Sequence, residues 1–446
     1  MRFGCAAADH DFGILSRIIT KMRESIMRYR SVACAVAGLT AGASVLTACA
    51  ESAGGGGQGG GAGVEYGASI EVYQEAFESV DPVVIHTQSP AAKDASGGQH
   101  IENYARAVSE WSGGKITFDI VYSNGVASPT ESDDAVQDGR LDMAQVMGAY
   151  EPQEYPVTFA LNNASVLSDN SVIVGSLSSN AWPVDVAFSS PEFLSEYEDH
   201  DMKVLVPSFN SGSIALICGQ ARNDLAELKG QSIASGSATL GTQVAALGGN
   251  PVSIGYTEYY ESLQRGVAAC AATTLTAGMI AGIMEVAPHV VIDPDAGFVN
   301  TSGALAMNAD VWDELPLVAQ QLMWDRLDVF IEGSMNKIWE GTVDASATIA
   351  QFNGSAEPFA DDARDALIAK NEEIVDELAQ TAPGGDEFVS RVRDTSAQWK
   401  ATVADLGYEN SVDYAGFAEW YSPEKLDTTA FVDALFDEVM LEHRPS

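Results

Sequence analysis

The sequence predicts an α/β protein of two lobes around a cleft, each lobe a mostly parallel sheet flanked by helices, with an extended helical region at its C-terminal end. Three observations carry that reading. Strand and helix patterns alternate between residues 83 and 147, which implies parallel strands joined by crossover helices. A second alternating set begins beyond residue 200, and helical patterns dominate from residue 315 onward. With 446 residues, 46% of them hydrophobic, the chain is long enough for one large domain or two ordinary ones.

Taken in order, Val83-Val84-Ile85-His86 reads as a buried strand, followed by a Gly97-Gly98 loop. Ile101, Tyr104, Ala105, Val108 and Trp111 recur at helical spacing, so residues 100–112 form a helix that Gly113-Gly114 stops. Residues 115–122 alternate as a strand, 132–137 form a short helix ending at Gly139, and 141–147 a third strand. In the second set, residues 203–207 and 213–218 are strands, and Asn223-Asp224 caps a short helix to Lys229. Residues 232–234 are a strand, 240–247 a helix, and 267–271 and 301–307 further strands. Residues 315–339 read as one long helix broken only near Gly333, and 340–446 as mainly helical with a break at Pro383-Gly384-Gly385.

Charge narrows the partners. The formal net charge is -40, from 23 Lys and Arg against 63 Asp and Glu. Nucleic acid is excluded as a partner, because phosphate binding needs a basic surface, and so is broad adsorption to anionic lipid. Charged residues are only 19%, so this is a folded chain rather than an acidic disordered one.

Arg28 and Arg30 precede an apolar, small-residue run over 31–48, the pattern of a secretory signal. The run ends in Leu46-Thr47-Ala48-Cys49, which resembles the lipobox of bacterial lipoproteins; the alternative is an ordinary signal followed by a coincidental cysteine. Asp9, Asp11 and Glu24 interrupt residues 1–26, which are set aside as an upstream extension with the start at Met22 or Met27. Gly54 to Gly57 and Gly59 to Gly61, around Gln58, form a flexible tether. The expectation is a chain lipidated at Cys49 and held on the membrane outside the cytoplasm. No other run reaches the roughly 20 apolar residues that span a bilayer. Of five cysteines, Cys5, Cys34 and Cys49 lie in these segments. Cys218 and Cys270 remain, as one disulfide or as two buried thiols. No Cys/His spacing suggests a metal site, and no cofactor is expected.

Six segments then occur in one order. They are Gly113-Gly114-Lys115-Ile116 with Asn124-Gly125; Ala135 to Met143 in the pattern A-x-Q-x-G-x-x-D-M; Leu228-Lys229-Gly230-Gln231-Ser232-Ile233; Leu247-Gly248-Gly249-Asn250-Pro251-Val252; Glu258 to Gly266; and Trp312-Asp313-Glu314-Leu315-Pro316. Together they resemble the extracytoplasmic solute receptors of tripartite ATP-independent periplasmic (TRAP) transporters, the dicarboxylate-receptor family. The resemblance implies a periplasmic-binding-protein-like fold of type II character, whose lobes close on a small solute and pass it to membrane permease subunits. With the signal and glycine run above, the expected division is 1–48 extension and signal, 49–75 tether, 76–210 with 298–340 one lobe, 211–297 with 341–446 the other lobe and the C-terminal helices.

The chain departs from the family where the ligand is usually held. The arginine that follows L-K-G-x-x-I in the family is Ala234 here, and the strand entering the second lobe carries Ser211-Gly212-Ser213-Ile214 with no basic residue. Without that fork a carboxylate loses its bidentate partner. What remains is neutral: Ala234, Ser235, Ser237 and Thr239 lie between a strand and a helix, where they either hold a ligand with the helix N–H groups or merely cap the helix. Tyr256, Glu258 and Tyr259 open another helix, with Glu258 as ligand acceptor or favourable helix-end charge. Gln88, Met147, Tyr150, Phe209, Asn210 and Ser213 sit at strand ends and, with Thr273 and Thr274, complete the candidate ligand set.

Enzyme readings lack support: the six histidines are scattered, no G-x-S-x-G elbow occurs, and Thr242 stands where a phosphate-binding loop needs lysine. No catalytic residue is expected. Two other readings stay open, a receptor of an ABC importer and a sensory or structural surface lipoprotein.

Overall fold

The computed structural model describes residues 63–446, which lie within one compact unit. The signal, Cys49 and the glycine run fall outside the described residues. The tether expected to reach residue 75 is already folded before that point. Ile70–Ala76 is a helix whose buried Tyr73 donates to Asp325, and the Val64 N–H donates to the Gln321 side chain at 2.7 Å. Burial of Val64 and Tyr73 adds to these bonds in holding the segment to the folded body.

The strands are β1 (Val83–Gln88), β2 (Ile116–Val121), β3 (Met143–Val146), β4 (Met202–Phe209), β5 (Ile214–Cys218), β6 (Ser232–Ser235), β7 (Asn250–Ser253), β8 (Cys270–Thr274), β9 (His289–Val291), β10 (Gly303–Asn308) and β11 (Ser355–Glu357). They build one sheet in the order β2-β1-β3-β10-β4 and another in the order β11-β9-β5-β8-β6-β7. The α/β class with two helix-flanked sheets is observed, but the pairing is mixed. β1 runs parallel to β2 and β3, while β10 runs antiparallel to β3 and β4. β6 runs parallel to β7 and β8, and β9 to β11, while β5 is antiparallel to β8 and β9. The reason is topological. The chain leaves the first sheet after β4 and returns to it as β10, and each crossing delivers its strand to mid-sheet from the opposite end.

Most helices form where the apolar spacing requires, such as Gln99–Trp111 and Ala238–Ala246. Three expectations need correction. The strand expected at 267–271 begins at Cys270, because Val267 and Ala268 turn out of the preceding helix and donate to the Ser262 carbonyl. The long helix breaks at Arg326 and not at Gly333, giving Leu317–Asp325 and then an uninterrupted Leu327–Gln351. Residues 156–198, to which the sequence reading assigned nothing, hold three helices. The longest, Val174–Phe188, is buried on every side except at Asp185, so it carries no amphipathic period.

Leu327–Gln351 is the spine of the molecule. Gly333 faces the Gln99–Trp111 helix of the first sheet, where a Cβ would stand 2.8 Å from the His100 Cα. Gly341 faces the Leu275–Ile280 helix of the second, where a Cβ would stand 2.6 Å from the Thr276 Oγ1. Beyond the spine, Asp361–Thr381 and Gly385–Asp405 form a hairpin at Gly384, whose φ of 85° only glycine adopts readily. The hairpin is tied to the Val174–Phe188 helix by a Trp399 Nε1 donation to Asp185 at 2.8 Å. Among the described residues no helix is long and apolar enough to cross a membrane.

Candidate functional site

Strand ends from both sheets meet at one cavity, the usual place for a ligand in such sheets. Gln88 closes β1, Gln145 and Met147 belong to the end of β3, Asn210 follows β4, Gly236 follows β6, and Thr273 and Thr274 end β8. Tyr150, Asn300 and Thr301 add to the first-sheet side, Tyr256 and Tyr259 to the second, and Lys337 comes from the spine. The empty volume is about 1000 Å³ including its opening to solvent. A more open hollow shares Pro90, Gly97, Asn124, Tyr256 and Ile280 with the cavity and forms its mouth. Across that mouth Asn124 Nδ2 donates to Tyr256 Oη at 2.9 Å, a direct bond between the two sides. Tyr150 reaches over in the same way, 3.4 Å from where a Cβ on Gly236 would sit.

The electrostatics are simple. Among the described residues Lys337 is the only charged one in the lining, and it is 4% exposed. Among the described residues no carboxylate forms an ion pair with it; its Nζ lies 5.4 Å from the Phe209 ring centroid. Burial without an anionic partner lowers its pKa from 10.5 to about 8. His100 stands nearby and is fully buried; burial first, and the Lys337 charge second, push its pKa well below the ordinary histidine value. Neither of its ring nitrogens has a hydrogen-bond partner among the described residues. Asn300 Oδ1 is likewise buried without a partner. Burial raises the pKa of all three lining tyrosines, that of Tyr150 to about 12, so none supplies negative charge at neutral pH.

Gln88, Met147, Tyr150, Asn210, Tyr256, Tyr259, Thr273 and Thr274 line the cavity, as do residues that the sequence reading did not single out: Lys337, Asn300, Thr301, Gln145 and Asn124. Several of these groups hold the walls. The Gln88 amide exchanges bonds with Ala127, donating to its carbonyl at 3.0 Å and accepting its N–H at 3.1 Å. Asn210 Oδ1 accepts from Asn180 at 3.1 Å and from the Gly212 N–H at 2.9 Å. Thr274 caps the Leu275–Ile280 helix, accepting the Ala277 N–H.

Seven expected residues do not line the cavity. Phe209 packs edge-on against Phe330, with ring centroids 5.0 Å apart. Ser213 donates to the Asn170 carbonyl. Ala234 and Ser235 are buried inside β6. Ser237 caps the Ala238–Ala246 helix by accepting the Leu240 N–H at 3.3 Å, and the Thr239 carbonyl accepts from Thr242 within that helix. Glu258 is exposed. Cys218 and Cys270 face each other across the β5–β8 pair and are joined by a disulfide.

The model of the family described as bacterial extracellular solute-binding protein, family 7, matches residues 87–381. The chain belongs to this family. Residues 382–446, which hold the hairpin's second helix and everything after it, lie beyond the match. Among curated proteins, none matches the sequence. Solved structures show the same fold at low identity. One is a marine metagenome TRAP solute binding protein from an unidentified microbe, specific for aromatic acid ligands, in complex with metahydroxyphenylacetate: 16% identical, TM-score 0.62, covering 71% of this chain and 99% of that one. A Desulfovibrio salexigens TRAP periplasmic solute binding protein with bound orotic acid is 18% identical, TM-score 0.59, covering 71% and 99%. The sugar acid binding protein of Advenella mimigardefordensis, in complex with galactonate, is 17% identical, TM-score 0.62, covering 72% and 99%.

Within this family 7 protein the cation at the cavity was hidden from motif reasoning because it lies on a helix without a motif. A signal exists nonetheless. Gly333, Lys337 and Gly341 recur every four residues, so they stack on one helix face, where the two glycines permit close approach of neighbouring helices on either side of the lysine.

Proposed function

We propose that this protein is an extracytoplasmic receptor that captures a small polar solute between its two sheet-bearing lobes and delivers it to a TRAP-type secondary transporter. The cavity carries the proposal: it is enclosed by strand ends from both sheets and latched by the Asn124–Tyr256 bond, a shape suited to binding by hinge closure. The lobes that move are 76–210 with 298–340 and 211–297; residues 385–446, expected with the second lobe, go with the first, to which Trp399 is bonded through Asp185 and Arg444 through Asp325. The task is binding and release, without chemistry on the solute. Permease subunits are the partners, and a lipid on Cys49 keeps the receptor at the outer face of the membrane. The bound acids named for the similar structures support a solute of this size.

A thermal-shift screen of the purified protein against monocarboxylates, dicarboxylates, sugars, polyols and amino acids tests the reading. A solute at 100 times its Kd adds about 2.7 kcal/mol of stability, which is readily seen. No stabilisation by any solute class would remove the receptor assignment. For the anchor, Cys49→Ser is expected to release the protein from membranes; retention of the variant would exclude lipidation there.

A further inference from the structure

We infer that Lys337 sets the charge of the solute: where the family's arginine is missing, the cavity takes a small acid with one carboxylate, seated on the Lys337 ammonium. This deepens the receptor reading above and rests on it. One feature of the site would otherwise be a cost without return. A buried cation with no counter-ion is strongly unfavourable, and Lys337 lines the cavity in that state. A ligand that supplies one negative charge removes that cost.

The charge count sets the class. The lining has one cation and no acid, in a chain whose net charge is -40. A neutral solute leaves Lys337 unpaired, and a dianion brings a second carboxylate that no lining residue can neutralise. The remaining lining is suited to a neutral body, with Met147, Ile214, Leu240 and Ile280 for apolar surface and Tyr150 and Thr273 for polar edges. The helix face explains why a lysine can stand there. Gly333 and Gly341 let helices from both halves close down on the spine, and Lys337 sits midway between them, at the seam. Contact with the solute at that point ties both halves to it.

Titration separates this role from a structural one. The titratable groups around Lys337 are His100 from the Gln99–Trp111 helix and, in the same cavity, Tyr150, Tyr256 and Tyr259; burial lowers its pKa, and among the described residues no carboxylate forms an ion pair with it. The folded, empty protein therefore releases the Lys337 proton near pH 8, while the unfolded chain keeps it to about 10.5. Between those values the unfolded state binds more protons, so ligand-free stability rises with pH. Acid binding needs the ammonium, so affinity falls as pH rises above about 8.

Matched series that differ only in charge give the test: glucitol, gluconate and glucarate on one skeleton, and 3-hydroxybenzyl alcohol, 3-hydroxybenzoate and 5-hydroxyisophthalate on another. Melting shifts and calorimetric affinities are measured on the purified protein. On a skeleton that binds, the monoacid is expected to bind at least about tenfold tighter than its neutral and doubly charged counterparts. Lys337→Met is expected to weaken it about 10- to 100-fold while holding or raising the ligand-free melting temperature. Should that variant fail to fold, the pH profile of the unmutated protein decides. Tighter binding of a neutral solute or a dianion, or monoacid affinity that is flat between pH 7 and 10, overturns the assignment and leaves the receptor reading intact. A Lys337→Met protein that melts earlier but binds the monoacid unchanged makes the lysine structural and overturns it too. A protein that responds to no solute of any charge loses both readings.

Discussion

The turn between β6 and the Ala238–Ala246 helix and the middle of the spine helix border the same cavity, yet their polar groups are disposed in opposite ways. In the turn, Ser237 spends its oxygen on the Leu240 N–H, Ala234 and Ser235 are buried in the strand, and only Gly236 reaches the cavity. On the spine, Lys337 is buried with no partner of opposite charge. A motif that looks like a ligand loop is occupied with its own helix, while an unremarkable helix holds the charge that wants a ligand. Unsatisfied polarity is a better guide to function here than polar residue type.

Four perturbations sharpen or break that contrast. The largest effect is expected on the second-sheet wall, where Cys218→Ser with Cys270→Ser should cost about 2–5 kcal/mol by denaturant unfolding. Because the bond lies behind the cavity, monoacid affinity should change less than stability does. On the spine, Gly333→Val forces a side chain against the His100 backbone, which cannot yield as a side-chain tip would; a loss of about 1–3 kcal/mol is expected. An unchanged melting temperature there would mean that the spine is not closely packed. Tyr256→Phe removes the acceptor of the Asn124 bond, worth about 0.5–1.5 kcal/mol of closure, and should appear as faster solute release and a larger radius in solution scattering. The smallest effect belongs to the turn. Ser237→Gly should cost a few tenths of a kcal/mol and leave affinity within about twofold. A large affinity loss from that variant would return the ligand contact to the turn and reverse the comparison.

Much of the fold was legible because its signals are local. Gly113-Gly114 and Gly139 stop helices with positive φ, and the Asp224 side chain caps its helix by accepting the Glu227 N–H. The Val174–Phe188 helix was invisible for the converse reason: with nearly every side chain buried, it has no polar face to give it a period. The spine misled in another way. Gly333 looks like a helix breaker in sequence, but its missing Cβ is what lets the Gln99–Trp111 helix approach.

For the site, the sequence brought the right strands to the cavity, because glycine-rich and polar turns after strands are written in consecutive residues, but it ended β1 at 86 and β8 at 271, short of Gln88 and Thr274. Gln88, Met147, Asn210 and Thr274 reach the cavity by that logic. It could not say which polar groups would be left free. Whether Ser237 faces a ligand or an N–H, and whether Lys337 meets an aspartate or a cavity, depends on partners more than a hundred residues away or on the exact rotation of a helix. Alternation, capping residues and the ordered motifs therefore determined by themselves the α/β class, the family and most element positions. Only the tertiary structure decided the antiparallel central strands, the buried Lys337 and the orphaned Asn300, because each follows from two distant segments being brought to one place, where the count of donors, acceptors and charges is first defined.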